Sequence, residues 1–292
     1  MLVAISFLSN FLTSEKYSSW VIYLVLDMHV HLTEERPDAE WVWSNWPGES
    51  RRGLSAEVFI EKMDACKPRI DKAVVFGLFS LASETPEAMS RDNDYIMRMV
   101  ETYPDRFIGA GVVDPSWGEA AIKELHRFVD AGLRVVKMRF SSMHYHANNK
   151  AAQRVFKEIG ELGVLPVCHS DWTHYSHPLI LGDLASMFPD VRMVMQHFGE
   201  YLSYDAISVC GKLPNVYVDT SALVLPKNIV RFIDEVSPDR IMYASDTLSV
   251  RGGLQPQDAL NRVTCLELPK KQEEKVLGGN ALALLKSVGV KL

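Results

Sequence analysis

The stretch Trp20-Val-Ile-Tyr-Leu-Val-Leu-Asp-Met-His-Val-His31 joins an apolar run to two histidines separated by one residue. Residues 20–26 are β-branched, aliphatic or aromatic, which predicts a buried β-strand. Side chains at positions i and i+2 of a strand share one face, so His29 and His31 at its end are expected to point the same way. Two such imidazoles suit one metal ion, but an H-x-H pair also arises by chance, and ligands farther along the chain must decide.

The rest of the chain alternates between two patterns. Strand-like runs follow at residues 72–79, 106–113, 133–140, 164–168, 191–196, 216–219 and 240–244. Helical periodicity marks residues 54–66, 92–102, 119–131, 151–162, 179–188, 204–211, 227–236, 257–267 and 271–288. Eight strands that alternate with helices predict an α/β protein with a single (β/α)8 TIM barrel. A doubly wound open sheet is the alternative, but its glycine-rich phosphate loop is missing after the first strand.

Composition limits the partners of the chain. A net charge of -6 over 292 residues, with no Lys/Arg cluster longer than two, argues against nucleic acid. Four well-separated cysteines without a C-x-x-C pair argue against a disulfide framework or a cysteine zinc site, and they fit a reducing, cytoplasmic location.

The N-terminal segment is apolar at first but lacks a basic region, and polar residues interrupt it too soon for a membrane span or a signal peptide. We predict an appendage at residues 1–19 and a barrel domain at residues 20–292 that does not bind membranes. The sequence has no marker of oligomeric state, and a homodimer is left open.

Active-site residues of a TIM barrel lie where the strands end. In this sequence the strand ends carry His29 and His31, Lys137 with Arg139, His169, His197, and Asp246. Four of the nine histidines thus fall on three strand ends, whereas chance would scatter them over helices and loops. Three imidazoles and a carboxylate suit Zn2+, with Mn2+, Fe2+ and Co2+ as alternatives. Asp246 is suited to accept a proton from metal-activated water, and His197 to polarise a carbonyl or donate a proton.

Aromatic residues and further histidines follow the strands. Trp43 and Trp46 in the long segment after strand one suggest an aromatic wall for a small organic substrate, although they suit a barrel cap or an interface equally well. Trp172 and His174 follow strand five and are candidate substrate contacts. A second H-x-H pair, His144 and His146, is expected in a solvated loop, and His126 on the surface of a helix.

The order of these residues resembles that of the amidohydrolase superfamily. The local sequence around these residues is similar to that of its amidohydrolase-related branch, which includes the aminocarboxymuconate-semialdehyde and resorcylate decarboxylases. The phrases that carry the resemblance span about residues 24–287: Gly-Leu-Arg-Val-Val-Lys-Met (132–138), Leu-Gly-Val-Leu-Pro-Val-Cys-His (162–169), Phe-Pro-Asp-Val-Arg-Met-Val-Met-Gln-His-Phe-Gly (188–199), Pro-Asn-Val-Tyr-Val-Asp-Thr-Ser (214–221), Pro-Asp-Arg-Ile-Met-Tyr-Ala-Ser-Asp (238–246) and Leu-Gly-Gly-Asn-Ala (277–281).

The resemblance implies a set of roles. The metal ligands would be His29, His31, His169 and Asp246, and His197 would be the catalytic, non-ligating histidine. In binuclear members a lysine on the fourth strand is carboxylated and bridges two metals, so a second ion is expected only if Lys137 is carboxylated. Because Met138 and Arg139 follow Lys137 here, we expect it to contact an anionic substrate together with Arg139.

Two reactions fit these residues. The leading hypothesis is hydrolysis of a small lactone, amide or ester by metal-activated water, and the compact chain and the Lys137/Arg139 pair favour it mildly. The alternative is metal-dependent, non-oxidative decarboxylation of an unsaturated or aromatic carboxylic acid. A metal-free barrel without enzymatic activity is a third hypothesis, against which the complete ligand set argues.

Overall fold

Eight parallel strands in sequential order form the sheet of this protein, seen in a computed structural model that describes residues 23–34, 54–78, 85–142, 144–222, 225–247 and 255–291. The strands are β1 (Leu26–Leu32), β2 (Lys72–Gly77), β3 (Phe107–Val112), β4 (Val135–Met138), β5 (Leu165–His169), β6 (Met193–Gln196), β7 (Val216–Asp219) and β8 (Ile241–Met242). This architecture confirms the predicted TIM barrel. Residues 1–19, Trp43 and Trp46 lie outside the described residues.

Helices follow the strands in the described parts of the chain. They are α1 (Ala56–Ala65), α2 (Pro86–Thr102), α3 (Glu119–Asp130), α4 (Lys150–Leu162), α5 (Pro178–Met187), α6 (Ser203–Lys212), α7 (Pro226–Glu235), α8 (Pro256–Thr264), α9 (Lys270–Glu274) and α10 (Asn280–Ser287). A 3-10 segment, His197–Leu202, follows β6, and a π-helical segment, Lys275–Gly279, joins α9 to α10. None of the described helices has the length and apolarity needed to cross a bilayer.

Apolar residues form two buried clusters on opposite faces of the sheet. The inner cluster fills the barrel with alternate strand residues such as Met28, Val74, Ala110, Val167 and Val194. The outer cluster packs the intervening strand residues against the helices. Because both faces are buried, the strands read as nearly continuous apolar runs, which is why the sequence pattern reveals them.

The first strand begins later than expected. The sequence predicts a strand over residues 20–26 with His29 and His31 at its end. Residues 20–22 lie outside the described part of the chain, and β1 runs from Leu26 to Leu32 and contains both histidines. The prediction was wrong at this boundary because the backbone ladder continues through the polar residues: Val30 pairs with Val75, and His31 with Phe76. Polar side chains can occupy a strand where they face the open end of the barrel.

A β-bulge in β1 turns the two histidines inward. Asp27 pairs with Ala73 and Val30 with Val75, so three steps along β1 match two along β2. A bulge of this kind adds one residue and shifts the alternation of the side chains. Met28 therefore belongs to the inner cluster, whereas Val30 belongs to the outer one.

Strands β8 and β1 close the barrel through irregular backbone pairing. Met28 N donates to Tyr243 O at 3.1 Å, Asp246 N to His29 O at 2.9 Å, and His31 N to Thr247 O at 2.9 Å. The π-helical segment covers this closure, because Tyr243 N donates to Val276 O at 2.7 Å. A Cβ atom at Gly278 would overlap the carbonyl oxygen of Leu24, so only glycine fits there.

We expect Gly278→Ala to lower the free energy of unfolding by about 1–3 kcal/mol, because the added methyl meets backbone atoms that cannot rotate away. Urea denaturation followed by circular dichroism measures the change. Gly211→Ala is the matched control: it lies in α6 with open space around it, and we expect a gain of up to about 1 kcal/mol there. Equal stabilities for Gly278→Ala and the wild-type chain would contradict the close approach.

Candidate metal centre

His29, His31 and Asp246 bring three ligand atoms to one point at the carboxyl end of the barrel. His29 Nε2 and His31 Nε2 are 3.1 Å apart, and Asp246 Oδ1 lies 3.1 Å from the first and 3.2 Å from the second. Both histidines are buried, and the aspartate side chain is 16% exposed. We call these three residues the metal triad; among the described residues they are the group whose His, Cys, Asp or Glu ligand atoms all lie within 4.8 Å of one another.

The spacing of the triad fits a divalent ion. Ligand atoms about 2.0–2.1 Å from one tetrahedral ion lie about 3.3 Å from each other, close to the distances observed. Burial lowers the pKa of His31 to about 3, although Asp246 opposes the shift. Its imidazole is therefore neutral at pH 7 and has a lone pair for a metal. Burial also acts to raise the pKa of Asp246, but the charge and hydrogen bonds of the histidines hold it well below its usual range.

Asp219 and Ser221 at the end of β7 orient His29. The Ser221 hydroxyl donates to Asp219 Oδ1 at 2.6 Å and lies 3.3 Å from His29 Nδ1, and Asp219 Oδ2 faces the same nitrogen at 3.4 Å. A hydroxyl has a single proton, so Ser221 accepts from Nδ1–H of His29. Burial and the charge of Lys137 act to lower the pKa of His29, but Asp246 and Asp219 raise it above its ordinary value, so a metal ion bound at Nε2 would take the place of a proton. A carboxylate behind a ligating histidine is a usual arrangement in metal sites.

His197 stands beside the triad in the same tautomer. Its Nδ1 lies 3.0 Å from Ser221 Oγ. The hydroxyl proton of Ser221 is used in the hydrogen bond to Asp219, so His197 Nδ1 is the donor to Ser221 Oγ and Nε2 has the lone pair. Asp246 Oδ2 lies 3.9 Å from His197 Nδ1, and the rings of His197 and His29 are 4.8 Å apart. Burial lowers the pKa of His197 well below its ordinary value, so the ring is neutral.

Backbone conformation near the triad is unusual. Asp246 has φ 57° and His197 has φ 61°, in the left-handed region that residues with side chains rarely occupy. Such conformations persist only where the surrounding contacts impose them, and they concentrate at functional sites. Asp219 Oδ1 imposes the turn at His197 by accepting its backbone N–H at 2.8 Å.

His169 lies next to His197 but points toward a different partner. Its Nε2 is 3.0 Å from Asp171 Oδ2, and its ring is 4.4 Å from that of His197. Burial lowers the pKa of His169 to about 4, against the opposing effect of Asp171. The structure therefore brings three of the four predicted ligands together, and a ligand role for His169 stays a prediction.

Lys137 is buried beside the triad and contacts Gln196. Its Nζ donates to Gln196 Oε1 and lies 4.8 Å from the centre of the Phe76 ring. Burial lowers the pKa of Lys137 to about 7, although Asp246 and Asp219 oppose the shift. Phe76 also contacts the rings of His29 and His31, at 5.0 and 4.6 Å. The Phe76 ring is therefore in contact with Lys137 and with both histidines of the triad.

Arg139 lies farther out, where its charge lowers the pKa of His169 after the larger effect of burial. It also opposes the rise in the pKa of Glu200 that burial and Asp171 cause. Within the described residues its buried Nε has no hydrogen-bond partner. Contact of Lys137 and Arg139 with an anionic substrate stays a prediction.

Residues of the loops lie farther from the triad. Trp172 is 65% exposed, and the ring of His174 contacts those of His146 and Tyr175 at 5.3 and 4.1 Å. Substrate contacts by Trp172 and His174 remain predictions. His144 and His146 are exposed, as predicted. The side chain of His126 is 45% exposed, which agrees with its predicted surface position on α3.

Sequence reasoning missed the residues that hold the site in place. Asp219, Gln196 and Asp171 each stand at or just after a strand end, and the rule that found His169 would have found them. Asp27 is also buried, and its Oδ1 accepts from the backbone N–H of His29 at 3.1 Å and of Ser245 at 2.9 Å. The pattern of the sequence gives no signal for this role, because it depends on how β1 meets β8.

Comparisons with known proteins bear on the family and the fold of the chain. The family model described as amidohydrolase matches residues 26–286. No curated protein sequence matches the chain.

Solved structures with a similar fold include several decarboxylases. The 2,6-dihydroxybenzoate decarboxylase from Rhizobium is 16% identical, with a TM-score of 0.74 over 92% of this chain and 100% of that one. The 5-carboxyvanillate decarboxylase from Sphingomonas paucimobilis is 16% identical, with a TM-score of 0.71 over 91% and 99%. The dihydroxybenzoic acid decarboxylase from Polaromonas sp. JS666, with bound manganese and 2-nitroresorcinol, is 17% identical, with a TM-score of 0.69 over 91% and 97%. At these identities the similarity establishes the fold.

Replacing either triad histidine is expected to abolish metal binding. His29→Ala and His31→Ala each remove a neutral imidazole, so purified variants dialysed against Zn2+ or Mn2+ are expected to retain well under one equivalent of metal by elemental analysis. His126→Ala on α3 is the control and keeps the wild-type content. His169→Ala in the same assay tests the fourth ligand. A full equivalent in His29→Ala would contradict the metal centre.

Asp219→Asn is expected to weaken metal affinity by about 10–100-fold, because it removes the carboxylate behind His29. Competition with a chelating dye measures the dissociation constant. Asp190→Asn is the matched control, because Asp190 is an exposed aspartate in the segment before β6. Unchanged affinity in Asp219→Asn would show that Ser221 alone orients the histidine.

Proposed function

The chain belongs to the amidohydrolase family, and from that membership we propose that it is a divalent-metal-dependent, non-oxidative decarboxylase of an aromatic or unsaturated carboxylic acid. The observation that carries this proposal is the position of the metal triad next to His197 and to the cationic Lys137. The similar solved structures support the choice of reaction, because they include decarboxylases of hydroxylated benzoic acids.

The triad would hold the metal, with His169 as a further proposed ligand. A bound divalent ion supplies positive charge that anchors substrate oxygens and stabilises negative charge as it develops. Mn2+ is our first choice, since a dihydroxybenzoic acid decarboxylase of similar fold binds it, and Zn2+ is the second. Two neutral histidines with one carboxylate suit both ions.

Lys137 and Arg139 would bind and orient the acid. Both are cationic donors, and Lys137 lies close enough to Asp246 for their charges to interact. When the substrate carboxylate binds between them and the triad, it exchanges hydrogen bonds to water for hydrogen bonds to these fixed donors. The donors thereby hold the carboxylate in position before the reaction. Phe76, which is fully buried, packs against His29, His31 and Lys137 and keeps the surroundings of the three apolar.

His197 would move the proton. In the tautomer set by Ser221, its Nε2 has a lone pair that takes up a proton and then delivers it to the ring carbon that bears the carboxylate. As that carbon–carbon bond breaks, its electron pair stays on the ring carbon, which becomes C–H, and the carboxylate leaves as CO2. Asp246, whose pKa is held well below its usual range, stays ionised and steadies the protonated histidine.

Hydrolysis, which the sequence favoured, becomes the second candidate. The family description favours it, since amidohydrolases are named for that chemistry. The same residues would serve, with Asp246 as proton acceptor and His197 facing the carbonyl oxygen. The decarboxylases of similar fold reverse the order of preference.

The reaction is tested with manganese-loaded protein, a panel of hydroxybenzoates and lactones, and 18O-labelled water. We expect CO2 release from a hydroxybenzoate, with no 18O in the aromatic product. His197→Asn is expected to keep its metal while kcat falls by at least ~100-fold, the effect of a lost proton donor. His126→Ala serves as the control. Labelled acid formed from a lactone, with no CO2 from any hydroxybenzoate, would establish hydrolysis instead.

A further inference from the structure

We propose that Lys137 and Gln196 together form a two-donor subsite inside the barrel that binds one oxygen atom of an anionic organic ligand. Neither the family match nor the similar structures assign a role to Gln196. The proposal rests on the proposed function in one respect, that the natural ligand is an organic acid. The subsite itself is argued from the contacts and burial of these two side chains.

Both residues occupy the last inward-facing positions of their strands. On β4, Val136 and Met138 pack outward, so Lys137 faces the barrel interior. On β6, Met193 and Met195 pack outward and Val194 inward, which places Gln196 inside. Lys137 is 1% exposed and Gln196 is fully buried. Their side chains meet across β5, which lies between β4 and β6 in the sheet.

Lys137 fixes the orientation of the Gln196 amide. An ammonium group has only N–H donors, so the amide must present its oxygen to Nζ, as it does. The amide nitrogen therefore makes no hydrogen bond to Nζ. Within the described residues, Gln196 Nε2 has no hydrogen-bond partner, although it is buried. Buried N–H groups without an acceptor cost free energy, and a native site normally supplies them with one.

The surrounding charges favour an anionic acceptor. Burial lowers the pKa of Lys137 to about 7 because it penalises the ammonium form, and an anion next to Nζ would favour that form. Asp246 and Asp219 attract the ammonium but are themselves engaged with His29 and Ser221. A carboxylate or phenolate oxygen between the two side chains would accept from both Nζ and Nε2. A neutral donor group would find no acceptor there except the amide oxygen already in use.

Benzoate is the probe for the subsite, and benzamide is its uncharged counterpart. With manganese-loaded protein, isothermal titration is expected to show that Gln196→Met weakens benzoate binding by about tenfold or more, the effect of one lost hydrogen bond to a charged group. Gln196→Glu is expected to weaken it further, because a second carboxylate faces the ligand. Benzamide binding changes less in both variants. Gln272→Met, on the helix α9, is the matched control and leaves both affinities unchanged.

A double-mutant cycle separates donation from support. If Gln196 merely positions Lys137, Gln196→Met has no effect in the Lys137→Met background; if Nε2 donates, the loss persists there. Circular dichroism and metal content establish that each variant is folded and loaded. Benzoate affinity equal in wild-type, Gln196→Met and Gln196→Glu proteins would overturn the subsite, as would no benzoate binding by the wild-type protein or two metal ions per chain with Lys137 as a ligand.

The same data distinguish this inference from the proposed reaction. If no hydroxybenzoate releases CO2 but the benzoate affinities follow the expected order, the decarboxylase proposal fails and the subsite stands. If CO2 is released and Gln196 has no influence on benzoate affinity, the subsite fails and the reaction stands.

Discussion

The hydrogen bonds from two backbone N–H groups to the Asp27 carboxylate hold the site together. They tie His29 on β1 to Ser245 just after β8, across the one place where the barrel must close without a regular ladder. Burial raises the pKa of Asp27 to about 7, although these hydrogen bonds act to lower it. The carboxylate therefore orders the backbone of His29 and Ser245 even though burying its charge is unfavourable. The β-bulge that it supports turns His29 and His31 inward, and the same closure brings Asp246 to them.

A second network of hydrogen bonds connects the end of β7 with His29 and His197. The Asp219 carboxylate accepts from the backbone N–H of His197 and from the hydroxyl of Ser221, and it faces His29. One carboxylate, through Ser221, thus acts on the tautomers of both His29 and His197. The hydroxyl of Ser221 is directed toward Asp219, and Nδ1 of both His29 and His197 lies within 3.3 Å of its oxygen, so Nε2 of His29 faces the triad. The site is therefore polarised before any ligand binds.

Most of the fold and half of the site follow from local patterns. Periodicity located seven of the strands within a few residues, because parallel strands buried on both faces give unmistakable apolar runs. It placed the first strand too early, since Asp27, His29 and His31 interrupt the run although the backbone ladder continues through them. Inspection of strand ends found the triad and His197. It missed Asp219 and Gln196, whose roles depend on residues from distant strands.

By itself the sequence determined the alternation of strands and helices, the positions of the histidines and Asp246 at strand ends, and the resemblance to a family of metal-dependent enzymes. These features are local, and residue type and spacing encode them. Only the tertiary structure decided which way the histidines face, that His169 turns to Asp171, and that Lys137 fixes the amide of Gln196. Those outcomes depend on the register between strands far apart in the chain, where a shift of one residue exchanges inside for outside.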